Sequence, residues 1–125
     1  IWQFVDGLNI NDNQSWVCRD ANDYASNLFA VPYEKLSYIN ATSNNYVLTR
    51  GFDRAHPYAQ LPTAVGAIGD SQYKDYYYQA TEKRIARVGG GWFDGSSAGL
   101  FFWSLNFSSA DTAVGVGGRL LKKAL

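Results

Sequence analysis

The alternation of apolar and polar side chains is most regular in the last third of the chain. Within the segment LFFWSLN, one alternating set is Phe101, Trp103 and Leu105, and the other is Phe102, Ser104 and Asn106. Successive side chains of a β-strand point to opposite faces of the sheet. The segment therefore predicts a strand with the first set buried and the second set exposed.

A second alternating segment, ADTAVGVGG, predicts another strand close by. Its inward set is Thr112, Val114 and Val116, and its outward set is Asp111, Ala113 and Gly115. β-Branched residues suit the inner face of a pleated sheet, whereas Asp, Ala and Gly have no packing reason to occupy the other face. One face of the two strands is thus predicted to pack in the core, and the other face to be available for another function.

The first forty residues predict one strand and two short helices. IWQFVDGLNI predicts a strand that ends in a turn at Asp6 and Gly7, with Trp2, Phe4 and Leu8 pointing inward. A helix capped by Asp20 or Asn22 is expected to run towards Phe29 and to end before Pro32. A second helix is expected from Tyr33 to Ile39.

The middle of the chain predicts loop and strand. Residues 51–69 hold two prolines and several glycines, which favours an ordered loop. The segments DYYYQ and KRIARV then predict two short strands.

Composition narrows the classes of partner. With 125 residues, 46% of them hydrophobic, the chain is long enough for one domain with its own core. Eleven basic and eleven acidic residues cancel, which argues against a nucleic-acid partner. No apolar run reaches the roughly 18 residues of a spanning helix, so membrane insertion is not expected. Because the chain lacks Met and opens on IWQFV, we expect it to be the C-terminal domain of a longer protein.

Candidate catalytic and metal-binding residues are few. Cys18 is the single cysteine and His56 the single histidine, so one chain cannot assemble a Cys/His zinc site, and no cofactor is expected. Asp53 and His56 could contribute to a hydrolytic triad, but no G-x-S-x-G motif supplies a nucleophile, and a structural histidine is the better interpretation. Cys18 is predicted to be a small buried hydrophobic residue.

The glycine run VGGGWFDG could mark a phosphate-binding loop. However, no G-K-[ST] follows it, and Trp92 and Phe93 stand where a helix should begin. The alternative is that the glycines permit positive φ angles or close backbone approach in long ordered loops, and we favour it.

Aromatic residues in the same region predict a binding surface. Phe93, Phe102 and Phe107, with Asp94 in the preceding loop, would be unusual on the surface of a protein without partners. Rings mixed with Ser, Gly and Asp are typical of adaptable binding surfaces. The alternative is that these phenylalanines form a second core layer.

The stretch RVGGGWFDGSSAGLFFWSLNFSSADTAVGVGGRLL, with its frame GG-W--G--AG and closing GGRL, resembles the variable region of proteins diversified by retroelements. In that family an error-prone reverse transcriptase rewrites adenine positions at one end of a target gene, and members include receptor-binding proteins of phage tail-fibre tips. DGLNINDNQSW and YEKL resemble phage-type members. The family has a C-type lectin fold, distantly related to formylglycine-generating enzymes.

The resemblance implies a variable set of ligand-binding residues within a variable-type region at 89–121. The set is Gly91, Phe93, Asp94, Ser97, Phe102, Ser104, Phe107, Asp111, Ala113 and Gly115. All have a codon ending in C, as AAY randomisation requires, and purine third bases in the gene would contradict the assignment. The scaffold set is Gly90, Trp92, Gly95, Gly99, Trp103, Leu105, Gly118 and Arg119.

Two departures limit what the resemblance implies. The calcium-binding tripeptides of animal C-type lectins are absent, so neither calcium-dependent sugar binding nor a metal is implied. The catalytic cysteines of the formylglycine-generating relatives are missing from the C-terminal half, so no enzyme activity is implied.

Together these observations predict one α+β domain over 1–125, of C-type lectin type, with short helices, a small twisted antiparallel sheet and long ordered loops. Its expected function is non-enzymatic binding of a bacterial surface protein or glycan through a diversified face. Display on a virion, at a tail-fibre tip, or on a bacterial surface is expected, with a homotrimer or another multivalent assembly to raise avidity. The alternatives are a fixed-specificity lectin or adhesin, an enzyme using Asp53 and His56, and a structural virion protein.

Overall fold

The computed structural model describes residues 2–91, 93–99 and 101–111 and the backbone of 116–117. Strands make up 43% of the described residues and helical turns 6%, and both helical turns are three-residue 3₁₀ turns. The predicted α+β class of C-type lectin type is therefore wrong, because the described chain is mostly β and contains no α-helix. No helix in this part of the chain is long and apolar enough to cross a bilayer.

Nine strands follow one another in the described part of the chain. They are β1 (Trp2–Asn11), β2 (Gln14–Val17), β3 (Glu34–Ile39), β4 (Asn45–Arg50), β5 (Pro62–Gly66), β6 (Tyr76–Gln79), β7 (Lys83–Val88), β8 (Trp103–Phe107) and β9 (Val116–Gly117). The 3₁₀ turns are Ala21–Asp23, between β2 and β3, and Gly95–Ser97, between β7 and β8.

All nine strands join one mixed sheet that curls into a half-barrel. Its order is β3-β2-β1-β7-β8-β6-β4-β5, and β9 pairs with β1. The β6–β8 and β1–β9 pairs are parallel, and the other pairs are antiparallel. The core includes five fully buried side chains from different strands or their flanks: Ile10, Val47, Leu61, Tyr77 and Leu105. The curl lets these side chains meet on the concave side of the sheet.

The first strand does not end at Asp6 and Gly7 as predicted. It continues to Asn11, and its pairing with β7 shifts register between Val5 and Asn9. Gly7 has φ +73°, a left-handed conformation that glycine adopts without strain. The Asp-Gly pair therefore forms part of a β-bulge within a continuous strand instead of a turn.

Two of the three side chains of the first strand that were predicted to point inward do so. Trp2 and Leu8 are buried, whereas Phe4 is 41% exposed.

The predicted helix towards Phe29 is wrong except for its cap. Asp20 Oδ1 accepts a hydrogen bond from the Asn22 backbone N–H at 2.9 Å, but the helical turn that it caps is only three residues long. Beyond it, the buried Asn9 amide donates to the carbonyl oxygens of Ala25 (2.8 Å) and Leu28 (3.1 Å). The side chain of a distant strand thus satisfies carbonyls that a helix would have used internally.

The predicted helix from Tyr33 to Ile39 is also wrong, because Glu34–Ile39 is β3. It pairs with β2 through Trp16 and Lys35. Leu36 is buried and Tyr38 half-buried, while Lys35, Ser37 and Ile39, which alternate with them, are exposed. This period-two pattern was present in the sequence but is short enough to be mistaken for one face of a helix.

The later elements agree better with prediction. DYYYQ, KRIARV and LFFWSLN contain β6, β7 and β8, so these three strands are confirmed. The predicted loop at 51–69 is interrupted by β5, which pairs with β4.

Candidate functional site

The loop between β7 and β8 is shaped by its glycines. Gly89 and Gly90 have φ angles of +100° and +82°, which residues with a Cβ rarely adopt. Gly91 and Asp94 then form a tight turn, in which the Asp94 N–H donates to the Gly91 carbonyl at 3.1 Å and the Gly91 N–H donates to the Asp94 carboxylate. The prediction that the glycines serve backbone conformation is confirmed at these positions.

Two predicted contact residues lie inside the domain. Phe102 is fully buried, with its ring centroid 4.6 Å from that of Trp2 and 5.7 Å from that of Tyr78. Ser104 is also fully buried and accepts a hydrogen bond from Arg87 Nη2 at 3.0 Å. The predicted outward facing of Phe102 and Ser104 is therefore wrong.

The position of β8 in the sheet explains this error. β8 lies between β6 and β7, and Leu105 on its other face is fully buried as well. A central strand covered on both faces carries no exposed set, so alternation along it cannot identify the solvent side. Trp2 and the tyrosines of β6 cover the face on which Phe102 and Ser104 lie.

The remaining predicted positions differ in exposure. Phe93 is 62% exposed and Asp111 is exposed. Asp94, Ser97 and Phe107 are half-buried, and Gly91 is buried. Ala113 and Gly115 lie outside the described residues.

One cleft of about 230 Å³ brings together part of this set, and we call it the aromatic cleft. Its lining is Trp2, Tyr78, Arg87, Phe93, Asp94, Asn106 and Phe107. Three predicted residues therefore meet there, namely Phe93, Asp94 and Phe107. Asp111 instead lines a separate cavity of about 440 Å³ beside the bulge of β1.

Arg87 is the residue of the cleft that sequence reasoning missed. It is only 5% exposed, and its guanidinium carbon lies 3.3 Å from the ring centroid of Phe107 and 4.7 Å from that of Trp2. Nη2 donates to two neutral oxygens, Ser104 Oγ at 3.0 Å and Asn106 Oδ1 at 3.4 Å. The sequence did offer one signal, an arginine between the apolar residues Ala86 and Val88 of a predicted strand. Arginine is rarely buried without a partner, so an arginine at such a position is unusual.

The electrostatic setting of Arg87 is unusual. Burial lowers the pKa of Arg87 from its ordinary value, and the negative charges of Asp94 and Asp111 partly oppose this effect. Neither carboxylate lies within ion-pair distance, and Nε is buried without a hydrogen-bond partner among the described residues. The cleft thus contains a desolvated positive charge between two aromatic rings.

The loop around His56 is a hydrogen-bonded structural unit. His56 is 2% exposed, and its ring nitrogens lie 2.8 Å from Glu34 Oε2 and 3.0 Å from Tyr58 Oη. The Asp53 carboxylate contacts backbone N–H groups instead of the imidazole, accepting from Ser37 (2.7 Å), Ala55 and His56. This geometry agrees with a structural histidine, since Asp53 does not contact the imidazole and both ring nitrogens are already engaged by Glu34 and Tyr58.

Asp53 predicts a pH-dependent contribution to stability. The Ser37 backbone N–H is the main cause that lowers the pKa of Asp53, and hydrogen bonds from Ala55 and His56 assist. A lowered folded-state pKa means that the stabilisation is complete above the unfolded value of about 4 and is lost as pH falls through the folded value. We expect Asp53→Asn to unfold at lower urea than wild type at pH 7, with the difference shrinking below about pH 4.

Urea denaturation at pH 7, 4 and 3 measures this effect, and Asp70→Asn is the matched control because Asp70 is exposed. Equal midpoints for wild type and Asp53→Asn at pH 7 would contradict the assigned hydrogen bonds.

Two further observations concern chemistry. Cys18 is 6% exposed, which confirms the prediction that it is a buried hydrophobic residue. Among the described residues, no group of three His, Cys, Asp or Glu side chains is placed to hold a metal ion.

Comparison with protein-family models, curated proteins and solved structures finds no match to this chain.

Proposed function

We propose that this domain is a non-enzymatic binding domain that contacts a receptor on a bacterial cell surface through the aromatic cleft. The observation that carries the proposal is the convergence of Phe93, Asp94 and Phe107 with Trp2 and Arg87 on one concavity. Phe93 comes from the β7–β8 loop, Phe107 from the end of β8 and Trp2 from the start of β1. Segments that are distant along the chain therefore meet in one concavity.

The chemistry of the cleft favours binding over catalysis. Aromatic rings and arginine are the residue types that dominate binding energy at interfaces, because they bring a large contact area and several hydrogen-bond donors. Asp94 and Asn106 add polar groups that can fix the orientation of a ligand. The Asp53–His56 loop, the alternative catalytic centre, has its carboxylate and both imidazole nitrogens engaged in local contacts.

The proposal includes diversification of the contact face, as in retroelement-diversified proteins, but over fewer positions than the resemblance implied. Phe93, Asp94, Ser97 and Asp111 have partly or largely exposed side chains, so they can change with little loss of packing. Phe102 and Ser104 are fully buried, which opposes free variation there. Multivalent display on a virion or a cell surface would raise the avidity of weak single sites.

Removing the exposed ring of the cleft should weaken binding without affecting the fold. We expect Phe93→Ala to reduce binding at least about tenfold, because a ring that anchors an interface typically contributes more than 1 kcal/mol. Binding is measured with the fluorescently labelled domain on an array of bacterial surface glycans and on intact bacterial cells.

The matched control is Phe52→Ala, which removes another exposed ring, 65% accessible, outside the cleft. This variant should bind as wild type does. Two results would contradict the proposal: equal binding by Phe93→Ala and wild type, or failure of the wild-type domain to bind any glycan or cell type tested.

A further inference from the structure

The charge of Arg87 lacks a neutralising partner in the part of the chain that the structure describes. The ion pairs there are His56–Glu34 and Arg84–Glu82, and Arg87 takes part in neither. A buried ionised group without an opposite charge is unfavourable, and proteins seldom retain one without a use. The cleft therefore contains a buried cation without an ion-pair partner among the described residues, whose charge the more distant Asp94 and Asp111 offset only in part.

The surroundings of the guanidinium limit how an anion can approach it. Phe107 and Trp2 cover the guanidinium group, with ring centroids 3.3 and 4.7 Å from its central carbon. An anion must therefore meet the edge of the group, where the N–H donors lie in one plane. Nη2 already donates to Ser104 and Asn106, whereas Nε has no hydrogen-bond partner among the described residues and is a donor left for a carboxylate oxygen.

The other polar groups of the cleft require a ligand that also donates hydrogen bonds. Asp94 accepts from the Gly91 N–H, and a carboxylate has room for about four donors. The ionised side chain of an acidic peptide residue has no hydrogen-bond donor of its own for Asp94. A sugar with a carboxylate would bring hydroxyl donors for Asp94 together with an anion for Arg87.

We infer that the aromatic cleft recognises a carboxylate-bearing sugar, whose carboxylate pairs with Arg87 while its ring packs against Phe93 and its hydroxyl groups donate to Asp94. The volume of about 230 Å³ suits a single sugar residue better than a longer segment. This inference rests on the proposed function and specifies the class of its ligand.

The experiment compares matched pairs of small probes that differ only in charge. Methyl glucuronoside, galacturonoside and mannuronoside are each titrated beside the corresponding neutral methyl hexoside. We expect at least one acid to bind about tenfold to a hundredfold more tightly than its neutral partner, the range of one charge-assisted hydrogen bond. In the wild-type protein, the ¹⁵N–¹H resonance of Arg87 Nε should shift with that acid and not with the neutral sugar.

A conservative variant adds a second test. Arg87→Lys keeps the charge but lacks the planar pair of donors, so we expect it to bind the acid about tenfold more weakly. The wild-type resonance shift decides the question if this variant does not fold.

Three results would overturn the inference. They are equal binding of acid and neutral sugar in every pair, an unshifted Arg87 resonance on acid binding, and binding of N-acetylglutamate amide by a protein that binds none of the acidic sugars. Receptor binding that depends on Phe93 but not on the sugar carboxylate would leave the proposed function standing while this inference fails.

Discussion

Phe102→Ala is expected to lower the free energy of unfolding by about 3–5 kcal/mol, the usual effect of removing a fully buried phenylalanine. The ring is 0% exposed and lies edge-on to Trp2 at 4.6 Å, with Tyr76 and Tyr78 completing its surroundings. Its loss would leave a cavity beside Trp2, Tyr76 and Tyr78 that these large rings cannot close by small shifts. Urea denaturation at pH 7 and 25 °C measures the effect.

Phe93→Ala is the matched control, since it makes the same substitution nine residues earlier. Phe93 is 62% exposed, so the change in the free energy of unfolding should stay below about 1 kcal/mol. We thus expect the two substitutions to have different effects, since Phe102 supports stability and Phe93 supports binding. A loss below about 1 kcal/mol for Phe102→Ala would show that the ring is not packed in the core.

This contrast shows where composition was informative about the site and where it was not. Aromatic residues in a Gly- and Ser-rich segment led to the prediction of a binding surface there, and Phe93 and Phe107 of that segment line the cleft. The same reasoning placed Phe102 outside, because alternation fixes which residues share a face but not which face is covered. That second fact depends on Trp2, which reaches the ring from the other end of the chain.

The strands were predictable where local sequence and pairing agree. β6, β7 and β8 are rich in aromatic and β-branched residues, and each pairs with a neighbour in the centre of the sheet. The two helices were wrong because long-range contacts determined those segments. Pairing of β3 with β2 and the hydrogen bonds from Asn9 to Ala25 and Leu28 are invisible in a local window.

Two residues of the cleft were missed for the same reason, because their positions depend on long-range strand pairing. Tyr78 joins it because β6 runs parallel to β8, with Tyr78 paired to Ser104. Arg87 joins it because β7 lies between β1 and β8. Neither pairing follows from spacing along the chain, so sequence reasoning found Phe93 and Phe107 of the cleft but neither Tyr78 nor the positive charge of Arg87.

Gly99→Ala is the second substitution with a large expected effect. A Cβ at this position would overlap with Asp75 Oδ1, far inside van der Waals contact. Asp75 is 7% exposed, and its Oδ2 accepts a hydrogen bond from the Phe101 N–H at 2.9 Å. Relief of the clash would break that bond or displace the loop before β8, so we expect a loss of about 2–4 kcal/mol in the free energy of unfolding.

Gly69→Ala is the control, since a Cβ there meets nothing within 4 Å and the backbone has no positive φ. It should be neutral or stabilising by less than about 1 kcal/mol, because alanine reduces the entropy of the unfolded chain.

A double-mutant cycle with Asp75→Ala identifies the cause of the Gly99 effect. Asp75→Ala removes the clashing carboxylate and is itself destabilising, because the Phe101 N–H loses its acceptor. If the clash explains the effect of Gly99→Ala, adding that change to the Asp75→Ala background should cost less than about 1 kcal/mol, well short of the sum of the two single losses. Additive losses would instead show that the close approach to Asp75 has no energetic role.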